Sequence, residues 1–281
     1  LHPLICDSHF HVFGPAERYP YAGGLRYRPP LAPLESYLQV AKKLGVERYV
    51  FVQPSAYGRD NACMLDAMRE IGPGKCRGIV DIDESAGDGA LERLHVAGVR
   101  GVRINVNPIK PPERGFAERL LPRIQRLDAR CSHRGWMLDF LTPGWLTREL
   151  LPALAKLKSP FSIAHMGMFR ARQPGFPEFV DFCRTHAKCW IKLTGVYRIS
   201  TAPGYADAAP LAQALIAAAP GRVIWGSDYP HLSFPHVHSE ALFALLGEWA
   251  PQEAVRRMIL VDNPARCFGF SAGTPLAALG V

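Results

Sequence analysis

The residues with the clearest capacity for chemistry are His9 and His11, one residue apart at the end of the apolar run Ile5-Cys6-Asp7-Ser8-His9-Phe10-His11. In an extended strand, side chains two apart share a face, so both imidazoles can reach one focus. That geometry suits a metal ion or two hydrogen bonds to one oxygen, and it equally suits two satisfied histidines at a strand end. Polar residues also close the later apolar runs: Gln53-Pro54-Ser55, Asp81 and Asp83, Arg103 and Asn105, Asp139, His165, Lys192 and Thr194, and Asp228. Taken singly, each reads as a cap, a turn former or an ion-pair partner. Brought to one rim, three imidazoles and a carboxylate make either a mononuclear His/His/His/Asp metal site or a metal-free set of donors around a general base. Both would activate water, with Asp228 as the natural acceptor of its proton. Asp139 alternates with apolar neighbours in Trp136-Met137-Leu138-Asp139-Phe140, and reads as a structural carboxylate facing the interior or paired with a cation.

A scaffold must bring these residues together. Apolar runs near 5–11, 48–54, 76–82, 98–106, 135–141, 161–166, 189–195 and 222–230 read as buried parallel strands. Helical patterns fall between them. Leu34, Tyr37, Leu38, Ala41 and Leu44 keep three-and-four spacing up to Gly45, and Asp60-Asn61 offers an N-cap for a helix that Gly72-Pro73-Gly74 stops. Further helices are expected near 87–98, 116–134, 145–157, 175–186, 207–219 and 237–249, with one more from Arg256 to Phe268. Eightfold alternation predicts one (β/α)8 TIM barrel domain over 1–281, with strands in 5–230, C-terminal helices in 237–270 and a tail at 271–281. In that architecture the site lies at the C-terminal ends of the strands. The first connection, 12–33, carries Tyr19, Tyr21, Tyr27, five prolines and three glycines, and is a candidate lid.

Composition narrows the function. The 281 residues, 48% hydrophobic and 21% charged, are those of a globular protein, and no apolar stretch is long enough to span a bilayer. The first strand is read almost at once, so no secretory leader is expected. Seven scattered cysteines without a C-x-x-C pair read as reduced thiols of a cytoplasmic protein. The net charge of +8 would suit nucleic acid only if it formed a stripe; Arg123, Arg126, Arg130 and Arg134 instead recur at helical spacing on one solvated face. No nucleic-acid or membrane partner is expected. A positive molecule steers small anions, so the expected partner is a small acidic substrate, and a homo-oligomer stays open.

Four segments, Asp7 to Pro15, His165-Met166-Gly167, Trp225-Gly226-Ser227-Asp228-Tyr229-Pro230-His231 and Val261 to Arg266, together resemble the amidohydrolase superfamily. More narrowly they resemble its lactonase branch, typified by 2-pyrone-4,6-dicarboxylate lactonase, over roughly residues 5–270. The resemblance implies a hydrolase that opens a carboxylated lactone. Asp228 would be the base for water, while His9, His11 and His165 orient or polarise the carbonyl. Arg103 and Arg198 would grip a substrate carboxylate, with Tyr27, Ser55 and Gln53 completing the pocket; an Arg fork matches a planar carboxylate through two parallel hydrogen bonds.

The chain departs from the lactonase pattern in three places. Asn107-Pro108-Ile109-Lys110 stands where a second strand-4 arginine is expected, leaving Lys110 as a substitute point charge. Phe140 or Leu141 replaces a tyrosine, and Met166-Gly167-Met168 replaces Met-Gly-Arg. These departures keep a sugar-acid lactone open as substrate. A binuclear metal site is disfavoured by Arg103 on strand 4 and by the lack of histidine in 135–141. No cofactor is the expectation that the lactonase resemblance implies, with a single Zn²⁺ or Mn²⁺ on His9, His11, His165 and Asp228 as the alternative. Two other functions compete: a mononuclear-metal decarboxylase of an aromatic acid on the same scaffold, and a non-catalytic anion-binding barrel.

Overall fold

The computed structural model describes residues 4–25, 27–106 and 109–271. Its eight strands are β1 (Ile5–Phe10), β2 (Val46–Val52), β3 (Cys76–Val80), β4 (Val99–Asn105), β5 (Met137–Leu141), β6 (Phe161–Ile163), β7 (Cys189–Leu193) and β8 (Val223–Trp225). They form one parallel sheet in sequence order. The sheet curls until its two ends meet: the Asp228 amide donates to the His9 carbonyl and the His11 amide to the Tyr229 carbonyl, both at 2.8 Å. One helix follows each strand: α1 (Leu34–Leu44), α2 (Ala62–Ile71), α3 (Asp88–Val96), α4 (Phe116–Ser132), α5 (Gly144–Leu154), α6 (Phe176–Thr185), α7 (Ala209–Ala218) and α8 (Ser239–Trp249). This is the (β/α)8 barrel that the alternation predicted.

Local sequence accounts for the elements. In α1 the buried side chains are Leu34, Tyr37, Ala41 and Leu44, one face at three-and-four spacing, and Gly45 ends the helix at φ 70°. The Asp60 carboxylate accepts the Ala62 amide at the start of α2, while Asn61, at the N-cap position itself, makes no side-chain capping bond. The expected helix from Arg256 to Phe268 is instead three stretches: α9 (Glu253–Arg257), a wide π turn (Met258–Asp262) and α10 (Asn263–Phe268). Pro264, at the start of α10, has no N–H for the ladder, and the widened turn accommodates the missing bond. Strands β6 and β8 are shorter than the runs at 161–166 and 222–230, because His165 (φ 52°), Met166 (φ 52°) and Asp228 (φ 56°) are left-handed, not extended.

The arginines read as a solvated face are held by acids from the β3–α3 connection and the first residue of α3. Arg123 reaches Asp81 at 3.0 Å and Glu84 at 2.8 Å, Arg126 reaches Glu84, and Arg130 and Arg134 reach Asp88. All seven cysteines are free, six of them buried. No helix among the described residues is long and apolar enough to cross a membrane. The greater part of the tail read at 271–281 lies outside the described residues, as do 107–108.

A buried carboxylate binds the barrel seam. Asp7 accepts the Ser227 amide at 2.9 Å, the His9 amide at 3.1 Å and the Tyr37 hydroxyl at 3.0 Å, linking β1, the turn after β8, and α1. Burial pushes its pKa up to about 6, against the pull of those three donors.

Candidate active site

His9 and His11 leave the end of β1 with their rings 5.1 Å apart and nearly perpendicular. His165 follows β6, and Asp228 follows β8. The four side chains meet: Asp228 Oδ1 lies 3.5 Å from His9 Nε2 and 3.4 Å from His11 Nε2, and Oδ2 lies 3.8 Å from His165 Nε2. All four are buried, with Asp228 1% exposed. Two residues outside glycine's usual preserve, His165 and Asp228, hold positive φ here, the kind of backbone strain that collects at functional sites.

Two glycines make the approach possible. A Cβ on Gly226 would stand 2.6 Å from both the amide nitrogen and Cβ of His9, and one on Gly195 would stand 2.5 Å from His165 Nδ1. Neither position accepts a side chain without moving an imidazole. Thr194 completes the support of His165, its hydroxyl 2.7 Å from Nδ1 and accepting the His165 amide at 3.1 Å.

The site faces a cavity of ≈ 130 Å³ walled by His11, Tyr27, Ser55, Arg103, Asn105 and Arg198, among others. The Tyr27 and Ser55 hydroxyls touch at 3.2 Å. Arg103 donates to the Gln53 carbonyl at 2.7 Å and turns its Nε toward Asp139, 3.8 Å away. Arg198 donates to Asp228 Oδ2 at 3.0 Å, and Tyr197, which sequence reasoning passed over, donates to the same oxygen at 2.5 Å.

Two proposed contacts lie elsewhere. The Gln53 amide turns away from the cavity to donate to the carbonyls of Gly58 and Asp60, tying down the loop after β2. Lys110 is exposed, its ammonium 5.9 Å from the Phe116 ring, and it does not line the cavity. Asp139 is the interior ion-pair partner the alternation predicted: Lys192 Nζ is 2.6 Å from Oδ1, which also accepts Ser162 Oγ at 2.6 Å. Lys192 itself is a charged residue inside the otherwise apolar end of β7.

Burial sets the electrostatics. It lowers the pKa of His9 well below the ordinary value, with the Lys192 charge acting in the same direction; it lowers His11 as well and brings His165 down to about 3. All three imidazoles are therefore neutral near pH 7. For Asp228 burial raises the pKa, but His165 and the Arg198 guanidinium outweigh it and hold the carboxyl well below the carboxylate range. The site presents one anion, three neutral rings and two guanidinium groups.

Single ligand atoms of His9, His165 and Asp228 lie within 4.8 Å of one another, a spacing that would admit one ion. The donor chemistry does not fit one. Lys192 contacts His9 at 3.3 Å, Arg198 occupies an oxygen of Asp228, and Arg103 adds a third cation nearby, so a dication would join three cations that share only the carboxylates of Asp228 and Asp139.

The amidohydrolase family model matches residues 6–270. The chain belongs to the amidohydrolase family. Among relatives of this amidohydrolase, a 4-sulfomuconolactone hydrolase of Hydrogenophaga intermedia is 38% identical, covering 95% of this chain and 89% of the relative. A 2-pyrone-4,6-dicarboxylate hydrolase of Comamonas testosteroni is 31% identical, covering 93% and 89%. A crystal structure described as a probable 2-pyrone-4,6-dicarboxylic acid hydrolase of Acinetobacter baumannii, with citric acid bound, superposes with a TM-score of 0.81 at 25% identity, over 95% of this chain and 99% of that one.

Proposed function

We propose that the protein hydrolyses a small carboxylated lactone, with Asp228 as the general base. The observation that carries this reading is the Asp228 carboxylate set 3.4 to 3.8 Å from three neutral imidazoles, beside a cavity walled by Arg103 and Arg198. The lactone hydrolases among the relatives support the reaction class, and the citric acid held by the A. baumannii protein supports a polycarboxylate-binding pocket.

The chemistry follows from the donors. His11 Nδ1 lies 2.7 Å from the Val52 carbonyl, which can only accept, so the ring proton sits on Nδ1 and Nε2 keeps its lone pair. A water between that lone pair and Asp228 Oδ1 would donate one hydrogen to each and aim its own lone pair at the lactone carbonyl. As the O–C bond forms, Asp228 takes the water's proton and the histidines facing the carbonyl oxygen stabilise its negative charge. Collapse breaks the ring C–O bond, the proton passes to the departing ring oxygen, and the product is the hydroxy acid. Arg198 has a second effect: a substrate carboxylate that draws its guanidinium away from Asp228 removes a cation from the base and raises its proton affinity when the cavity is filled.

Proton release from a panel of carboxylated and sugar-acid lactones tests the proposal. Asp228→Asn is expected to lower kcat on the best substrate by roughly 10²- to 10⁴-fold with KM little changed. Wild-type turnover in that variant, or tight binding across the panel with no turnover, would refute it. The aromatic-acid decarboxylase reading draws on a metal that the cationic surroundings of the site disfavour; carbon dioxide release abolished by a chelator would reinstate it.

A further inference from the structure

Lys192 is an unusual component of the barrel: a lysine with 0% exposure in a five-residue strand, among residues that almost never include unpaired charge. Its pairing with Asp139 explains how the ammonium is tolerated. It does not explain why an ion pair is there, since a buried pair is often no more stabilising than apolar side chains of the same volume. The second contact supplies the reason. Lys192 Nζ lies 3.3 Å from His9 Nδ1, while His9 Nε2, 3.5 Å from Asp228 Oδ1, makes no hydrogen bond to a described residue.

An ammonium has three donors and no lone pair, so its bond to His9 requires an unprotonated Nδ1. Neutral His9 must then carry its proton on Nε2. His11, two residues along the same strand end, has the opposite arrangement, because the Val52 carbonyl holds the proton on Nδ1. The two rings therefore show the cavity different ends: a donor from His9 and an acceptor from His11.

We propose that Lys192 is a positioning residue that fixes His9 as the Nε2–H tautomer, making it a hydrogen-bond donor to a substrate oxygen and closing its Nε2 to a metal ion. The tautomer holds whether or not the substrate is a lactone, so its test needs no turnover. Asp139 on β5 and Ser162 on β6 act one step behind, by keeping the ammonium in place.

The test is nitrogen NMR of the full-length protein labelled with ¹⁵N-histidine, with the His9 signals identified by their loss in His9→Asn. The wild type is expected to show a protonated Nε2 and a bare Nδ1 at His9. Lys192→Met leaves Asp139 buried and unpaired and risks unfolding, so the working variant is Lys192→Met with Asp139→Asn. In that protein the His9 proton is expected to redistribute between the two nitrogens. Titration with zinc alone, followed by calorimetry, is expected to show at least tenfold tighter binding than in the wild type, and kcat on the best substrate is expected to fall more than KM rises. Lys192→Arg, which restores a donor, is expected to return the Nε2–H pattern. A protonated His9 Nδ1 in the wild type would overturn the proposal. So would an unchanged His9 tautomer in the folded double variant, which is the result a purely structural ion pair predicts.

Discussion

The phenol of Tyr197 donates to Asp228 Oδ2 at 2.5 Å, the same oxygen that takes the Arg198 Nε bond at 3.0 Å. One oxygen of the carboxylate is thus saturated by the turn after β7, and Oδ1 is left facing His9 and His11. The division orients the base as well as charging it.

Tyr197→Phe removes one bond to the ionised form of Asp228. A hydrogen bond to a charged group contributes about 1.5–3 kcal/mol, equivalent to roughly one to two pH units. The acid limb of the kcat/KM profile is expected to move to higher pH by about that amount, read from initial rates extended below pH 4, where the wild-type limb lies. An unmoved limb would show that the phenol does not tune Asp228.

Arg198→Lys keeps the charge but loses the planar fork. We expect KM for a carboxylated lactone to rise about tenfold or more, with kcat changed by only about threefold, in steady-state kinetics. An uncharged ester analogue should show no such rise. Equal losses on both substrates would assign Arg198 to Asp228 alone.

Stability should fall with acid, and His165 is one source. Folding lowers its pKa from 6.5 to about 3, so in that window the unfolded chain binds the extra proton; its contribution is complete above pH 6.5 and is lost as the pH falls toward 3. His9 and His11 shift in the same direction. Asp7 opposes them, since a pKa raised from 3.8 to about 6 makes the folded chain the better proton binder between those values. His95 and His231 are lowered as well and Asp81 is raised, so five imidazoles against two carboxyls leave a net loss. Urea midpoints taken from pH 7 to pH 4.5 should decline, and His165→Gln should flatten the decline by up to one proton's worth.

Gly226→Ala tests the close approach at the seam. The added Cβ meets backbone and Cβ atoms of His9 at 2.6 Å, which cannot swing aside as the end of a long side chain can. A loss of about 1–3 kcal/mol is expected from thermal or urea unfolding, with a fall in kcat. Gly247, whose Cβ would meet nothing within 4 Å, is the control position.

The barrel was legible because eight apolar runs alternate with amphipathic patterns, and the His-x-His spacing places two side chains on one face whatever follows. His165 and Asp228 were legible as polar ends to apolar runs. Their left-handed backbone was not, because nothing in a non-glycine residue announces positive φ. Gln53 sits at a strand end as expected, but its amide serves the adjacent loop, a direction that position alone does not fix. Tyr197 lies in a turn, where no period reports where a side chain points. Lys192 did carry a signal: a charge inside Trp190-Ile191-Lys192-Leu193, in a strand buried on both faces, demands a partner. Asp139, two strands earlier in sequence, is that partner.

The Asp7 clasp gives the barrel seam a meaning beyond architecture. The bonds that close the cylinder, from the Asp228 amide to His9 and from the His11 amide to Tyr229, belong to the residues that carry the chemistry. Breathing of the cylinder at this line would separate base from imidazoles before any helix melts. Deuterium uptake at the amides of His11, Ser227 and Asp228 would then time the loss of catalysis, and the enzyme would go silent while its circular dichroism still reported a native fold.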